Sequence, residues 1–297
     1  MSTPYEKITA TIIEALQKGE VAWQKPWLTN KPCNAITGKE YRGINPFLLN
    51  LNGKYADHRW LTYKQAKELG GTVRQGEKAT WIVFYTNVPK KNDVDGSVTG
   101  SFMMMKAYFV FNVEQCDGLD KLAPLEFSNA GTDPNIVAEE IWAKYTDKPE
   151  VEMGGGRACY SPSLDVIKMP KRETFTSNAH FYATLFHEGA HSTGHAARLN
   201  RKSITENTGD KKSEVYSYEE LVAEFTSAFL CAEAGIEVET QENSVAYLQG
   251  WISALQNDST LVVKAASMAQ KAADYMLKKN PQTNEEPIEE KIAELVA

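Results

Sequence analysis

Phe186-His187-Glu188-Gly189-Ala190-His191 is an H-E-x-x-H motif inside a stretch with helical apolar spacing (Phe181, Tyr182, Leu185, Phe186), punctuated by Gly194. Helix positions four apart lie on one face about 5–6 Å from each other, so His187 and His191 can share one ion. Zinc held by two imidazoles at about 2.0–2.1 Å suits that separation. Glu188, beside the first histidine, can reach the attacking water as general base, the metalloprotease arrangement. The same residues on an ordinary helix would be two capped or half-buried histidines. The motif therefore needs a third ligand.

One metalloprotease class takes that ligand from a further histidine in H-E-x-x-H-x-x-G-x-x-H. Gly194 fits the glycine, but the last position is Ala197 and the nearest histidine is His195, which disfavours that class. The other common solution is a glutamate on a second helix. Tyr218-Glu219-Glu220-Leu221-Val222-Ala223-Glu224-Phe225 has helical spacing, with Leu221, Phe225, Ala228 and Phe229 as its apolar stripe. Glu220 is the expected third ligand and Glu224, one turn on, the acceptor that orients a ligating imidazole. Glu219 replaces Glu220 if the helix is rotated by one residue. Solvated carboxylates are the alternative, as for most glutamates on helices. The expected ion is Zn2+, with another divalent metal such as Mn2+ admitted by the same donors.

A chain of 297 residues suggests two domains, each large enough for its own core. No apolar run approaches a membrane span and the first residues lack a signal pattern, so no membrane partner and a cytoplasmic location are expected. Cys33, Cys116, Cys159 and Cys231 are scattered and form no zinc ribbon. The net charge of −7 is unevenly spread: residues 1–112 carry 15 Lys+Arg against 9 Asp+Glu, a net of +6. The remainder carries 17 against 30, a net of −13. Such asymmetry points to a polyanion meeting the first part only.

Taken in order, the chain opens with an amphipathic helix over residues 4–18. An apolar segment follows at Phe47–Leu51, then a helix over Tyr63–Leu69 and strands at Thr80–Val88 and Phe102–Val113. The expected fold class is α+β. A small N-terminal α+β domain with an antiparallel hairpin spans residues 1–116, and 117–134 form a linker. A mainly helical metallopeptidase domain covers 135–280, and an acidic, disordered tail 281–297. Within the second domain a helix is expected over Asn135–Tyr145 and a hairpin over residues 158–170, whose edge a substrate backbone could pair with. A polar, mobile loop is expected at Asn200–Ser217, then helices near Tyr247–Leu255 and Val262–Leu277.

In the first domain Trp23, Trp27, Tyr41 and Trp81 alternate with Lys25, Lys39, Arg42, Arg74 and Lys78. Cations that track phosphates beside rings that stack on bases are how single-stranded nucleic acid is bound. A small domain also buries its aromatic rings as core, and that reading stays open.

The runs Trp23-Gln24-Lys25-Pro26-Trp27, Thr37-Gly38-Lys39-Glu40-Tyr41-Arg42-Gly43-Ile44-Asn45 and Trp60-Leu61-Thr62 resemble the N-terminal domain of ArdC-type antirestriction proteins of conjugative plasmids. The second half is similar to the zincin-like, gluzincin-type metallopeptidase domain of that family. Its matching parts are Tyr160 with Asp165-Val166-Ile167-Lys168-Met169-Pro170, the His187–His195 run, Arg198-Leu199-Asn200-Arg201, Glu219–Glu224 and Tyr247–Ile252. The resemblance implies that the first domain binds single-stranded DNA and that the protein shields incoming plasmid DNA from host restriction during conjugation. A host restriction-system protein is then a candidate target. Two other readings remain: a DNA-dependent metalloprotease acting on DNA-bound proteins, and a non-catalytic single-strand-binding module with a structural metal.

Overall fold

The computed structural model describes residues 2–23, 31–51, 55–91, 98–123, 132–206, 214–237 and 245–279. Helix α1 (Pro4–Gln17) starts where the sequence places it. Thr3 and Glu6 form a reciprocal capping box and Pro4 occupies the first turn. Ile8, Ile12 and Leu16, four apart, are buried. The main sheet runs β1 (Cys33–Asn34), β2 (Arg59–Leu61), β5 (Val98–Asn112), β4 (Thr80–Lys91). The last two strands are the expected antiparallel hairpin, lengthened toward its connecting loop. Helix α2 (Asn45–Leu51) caps the outer edge of β4: the Asn45 amide donates to the Val83 carbonyl and accepts its N–H, both at 2.8 Å. That blunts an edge otherwise open to pairing. Helix α3 (Tyr63–Glu68) begins at a second capping box, Thr62 with Gln65. A two-stranded ribbon of β3 (Thr72–Val73) and β6 (Cys116–Asp117) closes this half.

The second half begins with α4 (Pro134–Lys144) and a three-stranded sheet of β7 (Glu150–Met153), β9 (Val166–Met169) and β8 (Cys159–Ser161), in that order. The expected hairpin is β8–β9. Strand β7, parallel to β9 on its other side, alternates over only four residues and went unread in the sequence. Four longer helices follow: α5 (Asn178–Ser192), α7 (Glu214–Ala234), α8 (Val245–Asn257) and α9 (Leu261–Met276), with a short α6 (Lys202–Thr205) between the first two. The expected polar, mobile stretch at 200–217 is thus partly helical, and Arg201 within it is only 4 % exposed. The tail expectation for 281–297 lies outside the described residues.

The halves share one core. Ile8, Ile12 and Leu16 of α1, together with Trp23 and Phe47, join one buried cluster with Phe225, Trp251, Leu255 and Val262. Trp23 meets Phe225 edge-on at 5.1 Å and Trp251 at 6.0 Å, and Phe47 stacks on Phe225 at 4.7 Å. Length had suggested a core for each half; the first half keeps two small clusters of its own, around Trp60 and around Leu61, and aromatic rings from both halves also fill a common one. Charges also cross the boundary: Arg42 pairs with Asp274, and Glu233 sits between Lys31 and Lys279. No described helix is long and apolar enough to cross a membrane.

Candidate metal centre

Helix α5 presents His187 and His191 toward Glu220 on α7, and one donor atom from each lies within 4.8 Å of the others. The two imidazole Nε2 atoms are 3.2 Å apart. His187 Nε2 is 3.5 Å from Glu220 Oε2, and His191 Nε2 is 3.6 Å from Glu220 Oε1. A tetrahedral ion with ligands at about 2.0–2.1 Å separates its donors by roughly 3.3–3.4 Å. Two imidazoles and one carboxylate thus stand at the right spacing, and the donor set fits a divalent ion.

The electrostatics agree. Burial alone would lower the pKa of His187, but its hydrogen bond to Glu220 and the charges of Glu224 and Glu188 push it up to about 9. A site that draws a proton so strongly also draws a metal cation. Glu220 is itself held below the ordinary carboxylate range against its burial, by His187, His191 and the hydroxyl of Tyr216 one turn before it. Burial, with Glu220 and Glu188 nearby, pushes the Tyr216 phenol up to about 12.

Glu219, considered above as an alternative ligand, faces the other nitrogen of His191: Nδ1 to Oε1 is 3.3 Å. Its side chain is 3 % exposed and gripped from both oxygens by Arg201, with Nη2 to Oε1 at 2.5 Å and Nε to Oε2 at 3.1 Å. Ser203 donates a further hydrogen bond. These partners overcome the cost of burial and hold the carboxyl down at about 2. An ionised Glu219 favours the His191 tautomer with the proton on Nδ1, which leaves Nε2 for a metal. Glu224, expected in this orienting role, is an electrostatic neighbour of His187.

Glu188 is 8 % exposed, and one oxygen accepts the backbone N–H of Tyr160 at 2.7 Å. Strand β8 is an edge of its sheet, and this N–H points away from β9 toward the centre. Tyr160 is fixed in turn: its hydroxyl donates to Asp165 at 2.8 Å, and Asp165 takes a bidentate pair from Arg198, both contacts at 2.8 Å. The sequence set Arg198 and Arg201 in a run shared with the ArdC-type family and beside a polar loop, with no role at the centre. Gly194 held a clue beyond its helix-stopping role, since a Cβ there would lie 2.9 Å from the Arg201 guanidinium.

The residues selected for DNA contact are dispersed. Trp23 and Tyr41 are 4 % and 8 % exposed, so their rings are core and present no face to a base. Arg42 is committed to Asp274. Lys39, Arg74 and Lys78 are exposed, Arg74 pairing with Glu77 and Asp117. Trp81 is half-buried on β4. Lys25 and Trp27 lie outside the described residues.

Two histidines and a glutamate on crossing helices, a second glutamate against an edge strand and a small sheet beside them define a zincin-like metallopeptidase domain, and residues 138–268 match that family. Residues 2–111 match the N-terminal domain of the anti-restriction factor ArdC. The chain belongs to the ArdC antirestriction family. It superposes on the metal-free crystal structure of antirestriction protein ArdC from plasmid R388 with a TM-score of 0.75 and 35% identity, covering 95% of this chain and 98% of that one. The Mn(II)-bound form of that protein gives 0.72 and 34%, covering 97% and 100%. Among curated relatives, a DNA primase TraC of Escherichia coli is 36% identical over 293 residues, and an uncharacterised protein of Sinorhizobium fredii 31% identical over 287. The match covers 92% of this chain in both cases, 20% of the primase and 91% of the Sinorhizobium protein. The chain thus spans about a fifth of that primase's length.

Proposed function

We propose that this protein binds single-stranded DNA through its first half and hydrolyses peptide bonds at a divalent-metal centre in its second. Together these would protect entering plasmid DNA from restriction in the recipient cytoplasm. The observation that carries the reading is the convergence of His187, His191 and Glu220, with Glu188 poised beside them, in a chain that follows an antirestriction protein along nearly its whole length. Mn2+ in the R388 relative and the Zn2+ habit of zincins both suit the donors here.

His187, His191 and Glu220 would hold the ion, which when bound polarises a scissile carbonyl and acidifies water. Glu188 accepts the proton of the attacking water and returns it to the leaving amine. The Tyr160 N–H keeps that carboxylate oriented, and the free edge of β8 offers backbone groups to an extended peptide. Tyr216, one turn before Glu220, hydrogen-bonds that carboxylate and would help hold it toward the ion. DNA binding raises the local concentration of any protein target on the same strand, a host restriction component among the candidates.

The test is restriction protection during conjugation, comparing wild type with a folded Glu188→Ala variant that still binds DNA. Loss of protection is expected. Undiminished protection would make the metal centre dispensable for the phenotype and leave strand binding as the protective act.

A further inference from the structure

We propose that the face of the β4–β5 hairpin bearing Trp81, Phe109 and Phe111, continued by Tyr63, is the platform on which the bases of a single strand stack. This rests on the DNA-binding reading above and supplies the surface which the buried Trp23 and Tyr41 do not. Antiparallel register places Trp81 opposite Phe109, and Leu61 of β2 opposite Phe111. Directly paired residues project from the same side of a sheet, and so do residues two apart. Trp81, Phe109 and Phe111 therefore share one face. Tyr63, just past β2, meets Phe111 with ring centroids 6.5 Å apart.

Phe109 and Tyr63 are the open rings of this row, while Trp81 and Phe111 are half-buried and anchor it to the sheet. Phe109 is 64% exposed and Tyr63 47%, whereas Leu61, on the same face, is fully buried. A single exposed apolar residue needs no explanation, but a contiguous aromatic row marks an interaction surface. Its charge selects the occupant. The Lys67 ammonium lies 4.9 Å from the Tyr63 ring centre at one end. At the other, Lys78 borders a cavity of about 530 Å³ that Trp81 lines together with Tyr55 and Thr11. Glu77 at that rim is paired with Arg74 at 2.9 Å. Rings flanked by cations, in a segment with a net charge of +6, complement a strand with stacking bases and a phosphate backbone. An apolar protein partner would not call for the lysines.

The experiment titrates the full chain with a fluorescent oligothymidylate of about twenty nucleotides, and with an abasic strand of the same length. Phe109→Ala should weaken oligothymidylate binding about fivefold to a hundredfold, the range for loss of one base–aromatic stack. Phe109→Trp should restore it and Phe109→Leu should not, because only the former keeps a π face. The abasic strand should bind wild type and Phe109→Ala alike. Lys67→Ala with Lys78→Ala should flatten the dependence of log K on log salt by about 0.7 per lost contact, while Phe109→Ala leaves that slope unchanged. Phe109 supports no core, so its truncation leaves a folded protein to measure. If Phe109→Ala and Tyr63→Ala bind oligothymidylate like wild type, the platform is wrong and the strand runs elsewhere. If the variants instead lose self-association, the face is a protein interface and the proposal also fails. A wild-type protein that binds neither strand overturns the DNA reading itself.

Discussion

At the scale of single residues, two arginines three positions apart each turn their guanidinium inward onto a carboxylate, yet only one reaches a metal-ligand candidate. Arg201 holds Glu219, which faces His191; Arg198 holds Asp165, which fixes Tyr160 and through it Glu188. Their substitutions should therefore differ in kind. Arg201→Gln or Glu219→Gln should loosen binding of Mn2+ or Zn2+ about tenfold to a hundredfold, the usual cost of losing the partner of a ligating imidazole. Arg198→Gln should lower the melting temperature but leave metal affinity near wild type. Calorimetric metal titration of the folded variants distinguishes the two, and equal losses would reduce Arg201 to a structural residue. The pairing of His187 with His191 was legible because helical spacing alone brings them to one face, and Glu220 because a three-ligand site calls for a carboxylate on a second helix. The arginine clamp was not, because a long side chain that turns inward to a carboxylate leaves no periodic trace. Polar composition made its segment look like a loose loop.

At the scale of elements, α5 is held against its neighbours by the absence of a side chain. A Cβ on Gly189, within the motif, would lie 2.8 Å from the Trp142 ring of α4 and 3.0 Å from Met276 of α9. Such distances are closer than van der Waals contact permits. Gly189→Ala should overpack this junction by about 1–3 kcal/mol, of which about 1 kcal/mol is offset by helix propensity, for a net loss of up to about 2 kcal/mol. Chemical denaturation reads that loss directly; a stabilised variant would show that α4 and α9 can yield. The major helices and both long strands were visible from apolar periodicity and capping residues such as Thr3-x-x-Glu6. Strand β7 was missed because Glu150-Val151-Glu152-Met153 alternates weakly and earns its place only by pairing with β9.

At the scale of the whole molecule, the common core predicts one unfolding event rather than two. Residues 1–116 expressed alone would expose Trp23, Phe47 and the inner face of α1, which pack on α7 and α8. That fragment should lack a cooperative melt and bind a hydrophobic dye; a sharp, reversible transition would show that the half folds unaided. The charged seam adds a pH signature. Burial raises the pKa of Glu233, but Lys31 and Lys279 outweigh it and hold the value below the ordinary 4.5. A depressed carboxylate stabilises the fold fully above its unfolded pKa, and that stabilisation disappears as pH falls through the folded value. Glu233→Gln should lower the melting temperature near neutrality and make its decline below about pH 4.5 shallower than in wild type. Sequence gave no warning of this union, since two motif-bearing halves with opposite charge read as separable parts.

The interlocked rings of Trp23, Phe47, Phe225 and Trp251 also bear on how such a gene can be shuffled. A crossover between the halves, joining the front of one relative to the back of another, would set unmatched aromatic shapes face to face. Chimeras should survive only where those four positions travel from a single parent, so that the two halves are inherited as one cassette.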